Sequence, residues 1–198
     1  DMVQTPTIQE FAADLGIFCD NLDDDELGIY IVDSFDGLCS DEDIAEFEDR
    51  KADYEKGKSY NKGSYDMTKQ KYSSKLFRTL SQTLKGKNVL LIIISQIRDN
   101  VGGMGVKWTV SGGKALKFYS SVRLFLKSKE QFIKRDRSIG YCANVKAIKS
   151  RSKHPNRDCN INILFEYGID NIASNVDYLF DLKDSQGKID KVKSKSVS

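Results

Sequence analysis

The sequence predicts an α/β fold in which a mostly parallel sheet is flanked by helices and followed by an antiparallel extension. Three observations predict it. Two apolar, β-branched runs, Ile29 to Val32 and Val89 to Ile94, each give way to a polar residue. A helical pattern lies between them, and strand, helix, strand of this kind makes a βαβ unit with parallel strands and a right-handed crossover. After Lys114 the apolar period switches to two, the mark of half-exposed antiparallel strands.

The elements follow in order. From Thr7 to Leu22, Ile8, Phe11, Ala12, Leu15, Phe18, Cys19 and Leu22 recur at helical spacing, and Thr7 can cap the helix. Acids 23–26 end it, and the first strand runs into Asp33 and Ser34. Residues 39–66 lack a consistent apolar period; Asp41 to Tyr54 can be helical, and the remainder reads as a long, mobile or functional loop. Asp66 to Leu84 is a helix with Met67, Leu76, Leu80 and Leu84 inward, and Gly86 fits its end. The second strand ends at Ser95 and Gln96. Residues 97–113 form a second glycine-bearing loop. Strands are expected at 122–126, 131–134, 141–148 and 160–166, with a turn over 134–140 and a helix over 171–182.

Composition sets outer bounds. With 198 residues, 39% hydrophobic and 30% charged, the chain is long enough for one domain with a core. That domain is expected over 1–182, followed by a Lys/Ser-rich tail over 183–198. The longest apolar run is far too short for a membrane helix. The four cysteines are scattered without a Cys-x-x-Cys pair, so free thiols in a reducing, cytoplasmic compartment are expected. A single histidine, His154, argues against histidine metal clusters and reads as a polar loop residue. The chain starts at Asp1, and it is expected to be a piece of a longer protein. Charge is split: residues 1–50 hold 16 acids and one base, a net of −15, and residues 51–198 hold 13 acids and 30 bases, a net of +17. The basic part suits a polyanion such as nucleic acid, or a solvated face that pairs with the acidic one.

An apolar run ending in Asp33 is the physical form of a Walker B element, whose carboxylate holds Mg²⁺ through water beside nucleotide phosphates. An acid after a strand is more often a cap or loop residue. A nucleotide site also needs the cradle Gly-x-x-x-x-Gly-Lys-Ser/Thr. Gly57-Lys58-Ser59 copies its end, but position 52 is Ala and no apolar strand precedes it; Gly113-Lys114 fails as well. No complete P-loop exists among these residues. In the two glycine-bearing loops, Lys56, Lys58, Lys62 and Lys107 can attract phosphate, and Tyr60 or Trp108 can pack on bases. Either loop alone is equally an ordinary solvated surface.

Ser95-Gln96-Ile97-Arg98, a glycine-rich loop, and then Gly112-Gly113-Lys114-Ala115-Leu116-Lys117-Phe118-Tyr119-Ser120-Ser121-Val122-Arg123-Leu124 closely resemble the bacterial RecA recombinase family. That family runs Asn-Gln-Ile-Arg, loop, Gly-Gly-Asn-Ala-Leu-Lys-Phe-Tyr-Ala-Ser-Val-Arg-Leu. The resemblance implies a RecA-like P-loop NTPase core lacking its first strand and P-loop. It also implies a DNA-dependent ATPase that uses ATP and Mg²⁺, binds single-stranded and duplex DNA, and self-associates into a helical filament. Asp33 would be the Walker B acid and hold Mg²⁺ through water, with Ser34 beside it. Gln96 would sense the γ-phosphate. The second DNA-binding loop would be 97–113, carrying Arg98, Lys107, the Gly112–Gly113 pair and, next to it, Lys114; the first would be 45–65. Ser74 and Arg78 would contact DNA phosphates. Lys117 and Phe118 would lie at a subunit interface that couples ATP to DNA. Val145 to Arg151 resembles Val-Lys-Val-Val-Lys-Asn-Lys, which implies that Lys149 and Arg151 reach a neighbour's ATP.

The departures are specific. Ser95 and Lys114 replace Asn, Arg151 replaces Lys with a different geometry, and the first loop is longer. The family's P-loop and catalytic glutamate have no counterpart here, so these residues alone are expected not to hydrolyse ATP. Two rivals stand beside the recombinase, possible phage type included. One is a RecA-fold ATPase with another role, such as a circadian-clock ATPase or a replicative helicase. The other is a non-catalytic DNA-binding or filament-interaction module that has lost its nucleotide site.

Overall fold

The computed structural model describes residues 4–23, 25–58, 68–99, 108–110, 113–151 and 157–180. The chain divides into two units, Asp1–Tyr119 and Ser120–Ser198.

The first unit begins with α1 (Ile8–Asp20). Thr7 Oγ1 accepts the Glu10 N–H at 3.1 Å, and Glu10 Oε2 accepts the Thr7 N–H at 3.4 Å, so two backbone donors that the first turn leaves open are satisfied together. The apolar stripe Ile8, Phe11, Leu15 and Cys19 is buried, as its spacing requires. β1 (Gly28–Val32) pairs in parallel with β2 (Val89–Ile93), from Gly28 opposite Val89 to Val32 opposite Ile93. Between them lie a 3-10 turn (Phe35–Gly37), α2 (Asp41–Glu55) and α3 (Thr68–Thr83). α3 buries Leu76, Phe77 and Leu80 against α1 residues, Val32 and Phe35, with the Phe35 and Phe77 rings 5.5 Å apart. Tyr30 Oη donates to Asp14 Oδ2 at 2.5 Å, and burial together with that carboxylate pushes the phenol up. Gly86, at φ +78°, closes the turn after α3 in a conformation that favours glycine.

Three expectations change in this unit. The strands are not buried on both faces: Tyr30, Val32, Leu91 and Ile93 turn to the core, whereas Ile29, Ile31, Leu90 and Ile92 are exposed. The helix allowed over Asp41 to Tyr54 forms as α2, and it takes up the first part of the DNA-binding loop that the resemblance implied over 45–65. α2 buries no side chain, and a capping box (Ser40 with Asp43), first-turn acids and an Arg50–Glu46 ion pair at 2.7 Å hold it instead of an apolar stripe. The rest of that loop, from 59 onward, lies outside the described residues. The loop expected over 97–113 starts and finishes as an antiparallel pair, β3 (Ile97–Asp99) with β4 (Trp108–Val110), and α4 (Gly113–Tyr119) follows. α4 replaces the period-two pattern expected there, because Ala115 is buried and Leu116 and Tyr119 pack on the core at helical spacing.

The second unit is an antiparallel sheet in the order β5 (Val122–Lys134), β6 (Arg137–Ser150), β7 (Asp158–Leu164), β8 (Gly168–Ile169). Among the described residues it is larger than the parallel pair. The two strands expected at 122–126 and 131–134 are one strand with register shifts, including one between Ser128 and Glu130. The turn is tighter than the segment 134–140: Arg135 and Asp136, at φ 49° and 60°, make it alone. α5 (Asn171–Phe180) is fixed to β7 by polar contacts. Asn162 N donates to Ser174 Oγ and Asn162 Nδ2 to Asp177 Oδ2, both at 2.9 Å. The tail over 183–198 lies outside the described residues.

Candidate functional site

Both strands of the parallel pair deliver polar residues at their carboxyl ends, the edge where open α/β sheets place ligands. Asp33 and Ser34 stand directly beyond β1; Asp33 is exposed, Ser34 is half-buried, and the peptide joining them is cis. Ser95 and the exposed Gln96 follow β2. The hydrogen-bond ladder outlasts the strands. Ile94 N donates to Val32 O at 3.0 Å, and Phe35 N donates to Ile94 O at 2.9 Å. The 3-10 turn then presents Asp36, whose Oδ2 accepts the Gln96 N–H at 2.7 Å. Asp36 Oδ1 lies 3.8 Å from Arg98 Nη2; the Asp36 side chain is 4% exposed and that of Arg98 62%.

The fold thus brings Asp33, Ser34 and Gln96 to one edge and ties Arg98 to it. Sequence reasoning missed Asp36. Nothing local marks it, since its partner lies 60 residues away. An exposed carboxylate at this edge can hold Mg²⁺ through water. Among the described residues no cluster of three metal-ligating side chains exists.

On α3, Ser74 and Arg78 are both exposed and one helical turn apart, so they share a face. On α4, Gly113 is the first residue, Lys114 is exposed, Lys117 is half-buried, and the Phe118 ring is 69% exposed, edge-on to Tyr119 at 5.2 Å. Lys107 and Gly112 lie outside the described residues. In the second unit, Lys149 is half-buried near the end of β6, and Arg151 follows it, exposed. Arg123 of β5 stands opposite Lys149. Partial burial, then Arg151 and Arg123, hold the Lys149 ammonium below the usual lysine range, and burial pulls the Arg123 guanidinium down as well. Three cations at one end of the sheet attract an anion. Arg123 had a signal in the sequence, because it sits inside the Ser-Val-Arg-Leu stretch.

A family model described as the RecA N-terminal domain matches residues 26–170. The chain belongs to the RecA family. Relatives of this RecA-family chain include a "Protein RecA" of Mycoplasma mycoides subsp. mycoides SC, 36% identical over 107 residues, which are 54% of this chain and 31% of that protein. The "Protein RecA" of Acholeplasma laidlawii is 40% identical over 97 residues, 48% of this chain and 29% of the relative. That of Clostridioides difficile is 36% identical over 110 residues, 55% and 32% of the two chains. The aligned part thus spans about a third of the length of these curated relatives. Among the described residues, no helix is long and apolar enough to cross a membrane.

Proposed function

We propose that this chain is part of a DNA recombinase, one that binds single-stranded DNA as an ATP-dependent filament and promotes homologous strand exchange in recombination and repair. The observation that carries this reading is the shared edge. Asp33, Ser34 and Gln96 stand at the carboxyl ends of parallel β1 and β2, and the segment beginning at Ile97 leaves directly from it, within the stretch matched to the RecA N-terminal domain. Asp33, with Ser34 beside it, would hold Mg²⁺ through water, and the metal would offset charge on ATP phosphates. Gln96 would sense the γ-phosphate and transmit its presence to the loop that follows, 97–113. Lys149 and Arg151 reach toward the ATP of a neighbouring subunit, and Lys117 and Phe118 belong to that subunit contact. Ser74, Arg78, Arg98, Lys107, Gly112, Gly113 and Lys114 meet DNA, chiefly its phosphates. No complete phosphate cradle occurs in these 198 residues, and on this reading they are expected not to turn over ATP alone. A cytoplasmic setting suits this work, and single-stranded DNA, duplex DNA and further copies of the protein are its partners.

ATP hydrolysis by the full-length protein, measured with and without single-stranded DNA, tests the reading. DNA stimulates turnover, and Asp33→Ala abolishes it. Stimulated turnover that survives Asp33→Ala, or an absence of DNA stimulation in the wild type, overturns the assignment. In the same protein Arg78→Ala weakens binding to all single-stranded sequences alike, because phosphate contacts carry no base information. It also lowers the salt slope by about 0.7, the value for one lost phosphate contact.

A further inference from the structure

The geometry points to Asp36 as a positioning residue that couples the nucleotide edge to the start of β3, an inference that rests on the recombinase reading. Asp36 lies three residues after Asp33, in the middle of the 3-10 turn that β1 runs into. The turn is fixed from behind: Phe35 is fully buried against Phe77, and its N–H is held by Ile94 O. A turn anchored in this way does not slide along the sheet, so its one inward carboxylate is a fixed point. Beyond Ile94 the β1 backbone no longer faces β2. The Asp36 carboxylate takes over the acceptor's part, and the Gln96 N–H meets a side-chain oxygen at 2.7 Å where a strand carbonyl would otherwise stand. The Asp36 side chain that accepts is 4% exposed, while the donor residue Gln96 is exposed.

The second oxygen faces Arg98 at 3.8 Å, a longer and more exposed contact that contributes less. Asp36 therefore holds the backbone of Gln96 directly and biases Arg98, two residues farther on, where β3 begins. With its backbone held there, Gln96 and the start of β3 keep a fixed relation to the turn that follows Asp33. A change at the Asp33 edge is delivered to β3 through one carboxylate. The tether needs an acceptor oxygen at this point, not a negative charge, and that separates it from a metal-ligating or phosphate-repelling role.

Three variants of the full-length protein test this. Two quantities are read: hydrogen exchange at the Gln96 amide, and the gain in affinity for fluorescein-labelled oligo(dT) on adding a non-hydrolysable ATP analogue. Asp36→Ala speeds exchange at Gln96 about tenfold, the effect of losing one hydrogen bond, and cuts the analogue-dependent gain by about tenfold. Asp36→Asn keeps an acceptor oxygen and restores both quantities toward wild type. Asp36→Ser is too short to reach the amide and supplies the same test if the alanine variant does not fold. An unchanged affinity gain in Asp36→Ala or Asp36→Ser, with the Gln96 amide released, overturns the coupling. Asparagine as damaging as alanine overturns the tether and assigns the effect to charge. A wild-type protein that gains no affinity with the analogue sinks the recombinase reading and the coupling with it, a result distinct from a gain that persists in the variants.

Discussion

The unit that carries Asp33 and Gln96 gathers eleven buried hydrophobic side chains into one cluster. The unit that carries Lys149 and Arg151 fully buries only Cys142 and Ala143 among its described hydrophobic residues. The first is held by packed volume. Its chemistry sits at strand ends that cannot shift unless Phe35, Phe77 and Leu80 shift with them. The second is held by an antiparallel ladder and by polar pins such as Asn162 with Ser174 and Asp177. Its cations are placed by register, not by a core behind them. Positions that depend on volume break when atoms are removed; positions that depend on register break when atoms are added between strands.

The largest expected effect attacks the first half of that contrast. Phe35→Ala removes a side chain with no exposed surface, and it destabilises the unit by about 3–5 kcal/mol. Urea unfolding, read by amide exchange in β1 and β2, measures it. A loss below about 1 kcal/mol would mean that the cluster is loosely packed and the contrast misdrawn. In the second unit, a methyl group at position 140 would land on the Ile163 carbonyl oxygen and the Leu164 backbone of the neighbouring strand. Gly140→Ala is expected to cost about 1–3 kcal/mol, with protection lost along the β6–β7 pairing. If exchange there stays slow, the ladder yields more easily than a packed core, and register is not what fixes this sheet.

A smaller effect, of opposite sign, sharpens the comparison. Arg135 and Asp136 occupy the left-handed region at φ 49° and 60°. The double change Arg135→Asn, Asp136→Gly suits that turn better and adds up to about 1 kcal/mol to the second unit. Thermal unfolding followed in β5 and β6 checks it. The smallest effect is a pH dependence in the first unit. Tyr72 Oη donates to Glu42 Oε1, and Gln9 Nε2 donates to Glu42 Oε2 at 3.4 Å, so one carboxylate joins α1, α2 and α3. The Tyr72 hydrogen bond holds Glu42 below its ordinary value of 4.5. A lowered carboxylate contributes stability above its unfolded value and loses it as pH falls through the folded one, so the contact weakens only below pH 4.5. Tyr72→Phe returns the Glu42 titration, followed by carboxyl NMR, toward 4.5.

How much of this was legible varies with the range of the forces involved. α1 was legible to its cap, because Thr7 and Glu10 satisfy each other within one turn and the apolar stripe is regular. β1 and β2 were legible as strands but not as one-sided ones, since an unbroken apolar run hides which face packs. α2 escaped a firm reading because capping and ion pairs carry it and its apolar spacing is poor. The β3–β4 pair and α4 were hidden by glycines and by lengths of three and seven residues, too short to show a period. At the edge, Asp33 and Gln96 were legible from their places after apolar runs. Asp36 was not, because its role exists only once two segments 60 residues apart are laid side by side.

The one-sided burial of β1 and β2 also bears on how these 198 residues behave when produced on their own. Ile29 faces the same way as Leu90, and Ile31 the same way as Ile92, with exposures of 55%, 51%, 57% and 38%. Four aliphatic side chains in a block, on strands that pair well, are the kind of surface that chaperones grip and that nascent chains use to clump. For these 198 residues alone, with that block open, synthesis at lower temperature or with abundant chaperone is expected to favour folded chains over inclusion bodies.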